Sequence, residues 1–221
     1  MILSIDIAEV GPRRGLRALA NRPRVGDIEG LSYAETVFTA PLGGGLIPKA
    51  DLGTIGLIAA WYDEAALDRF AAHPLARALA DGWQARMEPL RVSGRWPAMP
   101  GLPERPLPVD DDEPVAVLTL GRLKPWRLRP FLRAAGPAEA DVIAEPGLLA
   151  ATGFGRPPLV STFSLWSTAA AMKDYSYRQD GSHRAAVAAD RSHAFHRESA
   201  FIRLRPYATR GTCGQFGVLD G

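Results

Sequence analysis

Several things are scarce in this 221-residue chain, and each scarcity excludes something. Cys213 is the sole cysteine, so an internal disulfide and a multi-cysteine zinc site are both excluded. One thiol fits a reducing, cytoplasmic setting. Lysine occurs only at Lys49, Lys124 and Lys173, so nearly all basic side chains are arginine forks. A genome rich in G and C accounts for that bias as well as a chemical need for guanidinium groups does. The net charge is only +2, and no basic stripe of the kind that binds nucleic acid is present. No apolar run approaches the roughly 18 residues of a spanning helix. The opening Met1–Val10 lacks a basic start and a small-residue cleavage site, and reads as a strand rather than a signal peptide. The Gly43-Gly-Gly45 run lacks the Lys and Ser/Thr of a phosphate loop, and no Gly-x-Ser-x-Gly elbow exists.

What is present is ordinary globular composition, 47% hydrophobic and 23% charged, and an internal repeat. Trp61-Tyr-Asp-Glu-Ala-Ala-Leu-Asp-Arg-Phe70 matches Trp166-Ser-Thr-Ala-Ala-Ala-Met-Lys-Asp-Tyr175. Each has Trp at a strand end, then Ala-Ala at one offset, a large apolar residue, a charged pair and an aromatic. His73–Asp81 faces His183–Asp190, and Pro89–Trp96 faces Phe201–Tyr207. Upstream, Ile2–Ile7 matches Val115–Leu120, Gly11–Leu19 matches Lys124–Ala135, and Gly30–Phe38 matches Gly147–Phe154. Each half thus reads strand, helix, strand, strand, helix, strand, the split βαβ order. The expected fold is α+β: two tandem ferredoxin-like (βαββαβ) units forming a dimeric-α/β-barrel-type pseudo-dimer in one chain. The expected boundaries are residues 1–99, a Pro-rich and acidic linker over 100–114, and residues 115–221.

Five segments resemble the spheroidene monooxygenase family of carotenoid biosynthesis. They are Thr54–Ala65, Gly94-Arg-Trp-Pro97, Pro158–Trp166, Gly181–Val187 and Glu198–Pro206. The resemblance covers most of both halves and is more specific in the second. One departure is His193-Ala-Phe195, where the family usually has Glu-Gly-Trp. The resemblance implies two fused ferredoxin-like halves, haem, and oxygen insertion into an apolar small molecule by external electrons. A peripheral membrane contact to collect that substrate is compatible with it. Other haem chemistry (peroxidase, dehydratase or haem-degrading), binding without turnover, and a cofactor-free oxygenase or inert barrel all stay open, because fold does not fix function.

Haem iron takes His, Cys or Tyr as axial ligand, and four His and one Cys head the list. His183 is the first candidate, since the resemblance places a His there and Val187 lies one turn on. A plain helix-start cap is the competing reading. His193 is a candidate distal acid or base. His193 and His196, spaced by three, could share a divalent metal with Asp190 and Glu198, or lie in solvent. His73 reads as a capping residue before Pro74. Cys213 stands in a Gly-rich segment that reads as a loose tail. Arg184, Arg203 and Arg205 are candidates for the haem propionates, because guanidinium forks pair well with carboxylates, and Lys124 joins them because the resemblance places a basic residue there. Phe163, Trp166 and Trp126 are candidates for an apolar substrate pocket, with barrel core as the simpler alternative.

Overall fold

A computed structural model describes residues 1–43, 50–178 and 195–219. The first four strands are β1 (Ile2–Glu9), β2 (Leu31–Ala40), β3 (Asp51–Trp61) and β4 (Trp83–Arg95). The second four are β5 (Val115–Leu123), β6 (Leu148–Arg156), β7 (Leu159–Trp166) and β8 (His196–Arg210). Helix α1 (Pro12–Ala20) follows β1; α2 (Glu64–Phe70) and α3 (Pro74–Ala78) follow β3. A 3-10 turn at Pro125–Arg127 leads into α4 (Leu128–Ile143) after β5, and α5 (Ala169–Tyr177) follows β7.

All eight strands pair antiparallel and close into one barrel in the order β1-β3-β2-β6-β7-β5-β8-β4. Within that ring, β4-β1-β3-β2 and β8-β5-β7-β6 show one arrangement twice. Local chemistry matches too. Two residues after each strand-end Trp, Asp63 and Thr168 cap a helix, accepting from the backbone N–H groups of Ala66 and Ala171. Tyr62 N–H donates to the Gly30 carbonyl, and Ser167 N–H donates to that of Gly147, both at 2.9 Å. A Cβ on Gly30 would lie 2.2 Å from the Ala66 methyl, and one on Gly147 would lie 2.4 Å from that of Ala171. Only glycine permits this approach of helix to strand.

Strand alternation sorts side chains into the barrel and onto its outer face. The interior is solid: Leu3, Ile5, Ile58, Met87, Leu118, Phe163 and Ile202 are fully buried there. Outside, α2 and α3 cover Leu57, Ala59 and Trp61, while α4 and α5 cover Val115 and Trp166. Side chains plug both ends. Trp96 and Met99, just past β4, fill one. Phe216 fills the other, 4.9 Å from Trp83 and 5.9 Å from Phe163 between ring centroids.

Three elements differ from the sequence reading. Helix α4 runs on through Gly136 and Pro137 to Ile143. Its exposed outer side lets water serve the carbonyl that Pro137 leaves without a donor. Residues 211–217 are a barrel stopper rather than a tail: Cys213 bridges to Phe216, and Trp83 Nε1 donates to the Gly217 carbonyl at 2.8 Å. Residues 100–114 are exposed but tethered. Arg205 donates to the Pro108 carbonyl at 2.7 Å, and Lys173 meets Asp111 at 2.5 Å. Ala169 and Ala170 N–H groups donate to the Glu113 and Asp111 carbonyls.

Candidate functional site

His183, Arg184 and His193 lie outside the described residues, so the structure does not place the candidate ligand, its neighbour or the distal candidate. The remaining candidates are distributed over several places. Arg203 and Arg205 share the outer face of β8, as their spacing predicts, but differ in surroundings. Arg205 is saturated, pairing with Glu113 and Glu88 at 2.8 Å each besides the Pro108 carbonyl. Its carboxylate partners hold its guanidinium more firmly protonated than usual, and it serves to anchor the linker.

Arg203 has no carboxylate among the described residues. It lies between Arg91 of β4 and Val117 of β5, its partners in the two ladders. The Met172 sulfur of α5 is 3.9 Å from its guanidinium, and Tyr177 is a polar neighbour. Burial, with Arg91 also opposing the charge, lowers its pKa. Like charges directly opposite in a ladder repel, so Arg91 and Arg203 form an anion-seeking pair. Helix α5 ends at Tyr177 beside them, and the chain then enters residues 179–194, which carry His183 and Arg184.

The apolar candidates separate. Phe163 lies inside the barrel against Trp83 at 5.8 Å. Trp166, an odd number of residues further along β7, faces outward against Tyr175 of α5 at 5.3 Å. Trp126 is 67% exposed on the 3-10 turn, with the Arg197 guanidinium 5.9 Å from its ring. The three do not form one pocket. Lys124 precedes that turn, and its backbone N–H donates to the Phe195 carbonyl at 3.0 Å. His196 packs edge-on to Phe131 of α4 at 5.2 Å. His73 caps α3, its Nδ1 accepting from Leu75 N–H at 3.2 Å. Burial pushes the Cys213 thiol up, away from thiolate. Among the described residues no cluster of His, Cys, Asp and Glu is placed to hold a metal ion.

A second constellation, not singled out in the sequence, gathers where β3, β4, β5 and β6 end. Glu35 is nearly buried and meets Arg22 at 3.4 Å and Arg156 at 3.5 Å. Arg122 pairs with Glu198 at 3.2 Å and lies 5.1 Å over the Trp96 ring. Beneath them are Tyr33, 4% exposed, and Trp96, 3% exposed. Among the described residues, neither the Tyr33 hydroxyl nor the Trp96 indole nitrogen has a partner in hydrogen-bond geometry. The two are close enough for the indole to favour the phenolate, yet they stop short of hydrogen-bond geometry. Burial, reinforced by Glu35, pushes the Tyr33 pKa up, so the phenol keeps its proton and remains a donor. Alongside this mouth is a cleft of about 450 Å³ lined by Ala20, Asn21, Arg22, Arg24, Asp27 and Arg156.

A third feature is Asp6, buried on the outer face of β1. Burial raises its pKa from 3.8 to about 7 against the opposing influence of Arg210, Arg86 and the Ser4 hydroxyl. Arg86 is itself engaged by Glu64 at 2.5 Å and Asp68 at 2.6 Å, and Arg210 by Gln84. The attraction that would normally keep Asp6 ionised is therefore shared.

No family model matches the chain, and no curated protein matches it. Solved structures show distant likenesses. One is a candidate monooxygenase from Fusobacterium nucleatum subsp. nucleatum, at 12% identity and TM-score 0.43, covering 100% of this chain and 96% of the other. A second, from Lactobacillus acidophilus and named in the same way, has 12% identity and TM-score 0.42 with 99% of each chain covered. The haem-degrading enzyme of Listeria monocytogenes has 13% identity and TM-score 0.32, covering 91% of this chain and 99% of that one.

Proposed function

We propose that this protein is a haem-dependent monooxygenase-type oxidoreductase acting on an apolar small molecule, with external electrons, and that it is built from two tandem ferredoxin-like halves. The halves are residues 1–99 and 115–221, joined by 100–114. The doubled strand order, the paired Asp63 and Thr168 caps and the paired Gly30–Ala66 and Gly147–Ala171 contacts support that division.

The observation that carries the cofactor reading is the Arg91–Arg203 pair. A half-buried guanidinium facing another across a ladder, with no described carboxylate, is expensive unless an anion joins it. A haem propionate is such an anion, and Arg–carboxylate pairing is strong and directional. The residues fit the group in this respect. Arg203 and Arg91 would hold a propionate, Arg184 would assist, and the His183 imidazole would ligate the iron. Met172 and Tyr177 would border the macrocycle. Arg205 is left out of this set because Glu113, Glu88 and the Pro108 carbonyl already occupy it, and Lys124 remains a further candidate cation. Haem supplies a redox-active iron for oxygen chemistry when bound. The protein's share is to hold it, exclude water from one face, and move a proton at the His193 imidazole.

The test is a haemin titration of the purified protein followed by visible spectroscopy, beside His183→Ala and Arg203→Gln. A saturable Soret shift is expected, altered in band position by His183→Ala. Arg203→Gln should bind about tenfold more weakly with the band unmoved, the loss of one charge-assisted hydrogen bond. A shift identical in all three proteins would remove both assignments, and no shift at all would remove haem. With haem bound, turnover of an apolar substrate that requires reductant and O₂ and leaves haem intact is the expected activity. Haem degradation or binding without turnover would refute the monooxygenase reading.

A further inference from the structure

The mouth of the barrel holds two buried donors and an excess of positive charge with nothing to receive them. Tyr33 O–H and Trp96 N–H come from different elements, are both more than nine-tenths buried, and approach each other without either reaching a partner in good hydrogen-bond geometry among the described residues. A buried donor left unmade costs about 1–3 kcal/mol, so retaining two side by side asks for an acceptor. Around them, Arg22, Arg122 and Arg156 outnumber Glu35 and Glu198 by one charge. The adjoining cleft adds Arg24 and Asp27, which cancel, and its volume of about 450 Å³ lies in the range of small-molecule sites. Arg22 and Arg156 are held to Glu35 only by long contacts of 3.4 and 3.5 Å, so both can turn toward a ligand.

We propose that this mouth binds a small organic monoanion through a carboxylate or phenolate oxygen. That oxygen accepts from Tyr33 and Trp96, while Arg22 and Arg156 at the rim neutralise the charge. Arg122, 5.1 Å over the Trp96 ring, adds a third cation close to the two donors. No haem is needed for this site, which lies among the strand ends of the barrel and not beside α5.

Isothermal titration calorimetry of the full haem-free chain with sodium salicylate tests it, with salicylamide as the uncharged counterpart. Variants Tyr33→Phe, Trp96→Phe and Arg156→Gln remove one donor or one charge each. Saturable salicylate binding is expected, about tenfold weaker in Tyr33→Phe and in Arg156→Gln, and weaker still for salicylamide in the unaltered chain. Tyr33→Phe should melt no lower than the unaltered chain, because it deletes an unpartnered hydroxyl without opening a cavity. That variant keeps the test valid even if Trp96→Phe fails to fold. Absence of salicylate binding, or binding unchanged by Tyr33→Phe and Arg156→Gln, would overturn the proposal. Loss of the Soret response in the haemin titration would leave it untouched.

Discussion

Replacing Asp6 by Asn should stabilise the protein, and by an amount that grows with pH. In the folded chain burial lifts the Asp6 carboxyl from 3.8 to about 7. Between those values the folded state holds a proton that the unfolded state has released. Stability therefore falls as pH rises from about 4 to about 7, and is level above that. At about 1.4 kcal/mol per unit, the roughly three-unit rise costs about 4 kcal/mol at pH 8 and about 2 kcal/mol at pH 5. Asn has the size of the protonated acid and can donate to the same acceptors, but never ionises. Thermal melts followed by circular dichroism at pH 5 and pH 8 read the difference. Asp6→Asn should melt about 10 °C above the unaltered chain at pH 8, and by about half that margin at pH 5. A margin equal at both pH values would show that Asp6 does not carry a raised pKa. A variant less stable at pH 8 would show that the ionised carboxylate serves Arg86 and Arg210 better than burial penalises it.

Two further outcomes concern the scaffold. Arg205→Ala releases Glu88, Glu113 and the Pro108 carbonyl together, and should lower stability by about 1–3 kcal/mol while hastening proteolytic cleavage between residues 103 and 114. Unchanged cleavage would mean that the linker is held by its other tethers. Phe163→Ala empties the centre of the barrel where Trp83 and Phe216 meet, and should cost about 3–5 kcal/mol in chemical denaturation. A cost below about 1 kcal/mol would show that the stopper at Phe216 moves in to refill the space.

Much of the architecture was legible in the order of residues, because strands and caps are local. Trp61 and Trp166 mark strand ends, and Asp63 and Thr168 open helices by a rule that needs only three neighbours. Placing Phe163 and Trp166 in one pocket overlooked that rule's counterpart for strands: residues an odd number apart point to opposite faces. Cys213 lay in a segment whose glycines suggested looseness. The partners that fix it, Trp83 and Ala151, are far away in sequence. The barrel mouth is the extreme case. Tyr33 and Glu35 share one face of β2, two residues apart, but Trp96, Arg122, Arg156 and Glu198 come from other elements, and no spacing links them to that pair. Only Trp96, as a large residue just past a strand, carried a local hint. Arg205 illustrates the opposite limit, since its alternation with Ile202 and Leu204 showed its face but not that three acceptors already occupied it.

The eight-strand ring is unevenly joined. Eleven residue pairs fasten β4 to β8, whereas β2 meets β6 through only Phe38, Thr39 and Ala40. The short joint is keyed by rings dropped into glycine notches, Phe38 on Gly155 and Phe154 on Gly56. Under thermal or mechanical load the hoop has one thin weld and one thick one. The thin one is where opening is expected to begin, turning a barrel into a curved sheet that stays joined at β4 and β8. Closure of a hoop abolishes free edges, and so shields the chain from adding strands of its neighbours. The Phe38 and Phe154 rings therefore decide whether this protein meets other copies of itself as a sealed drum or as an open ribbon with two sticky margins.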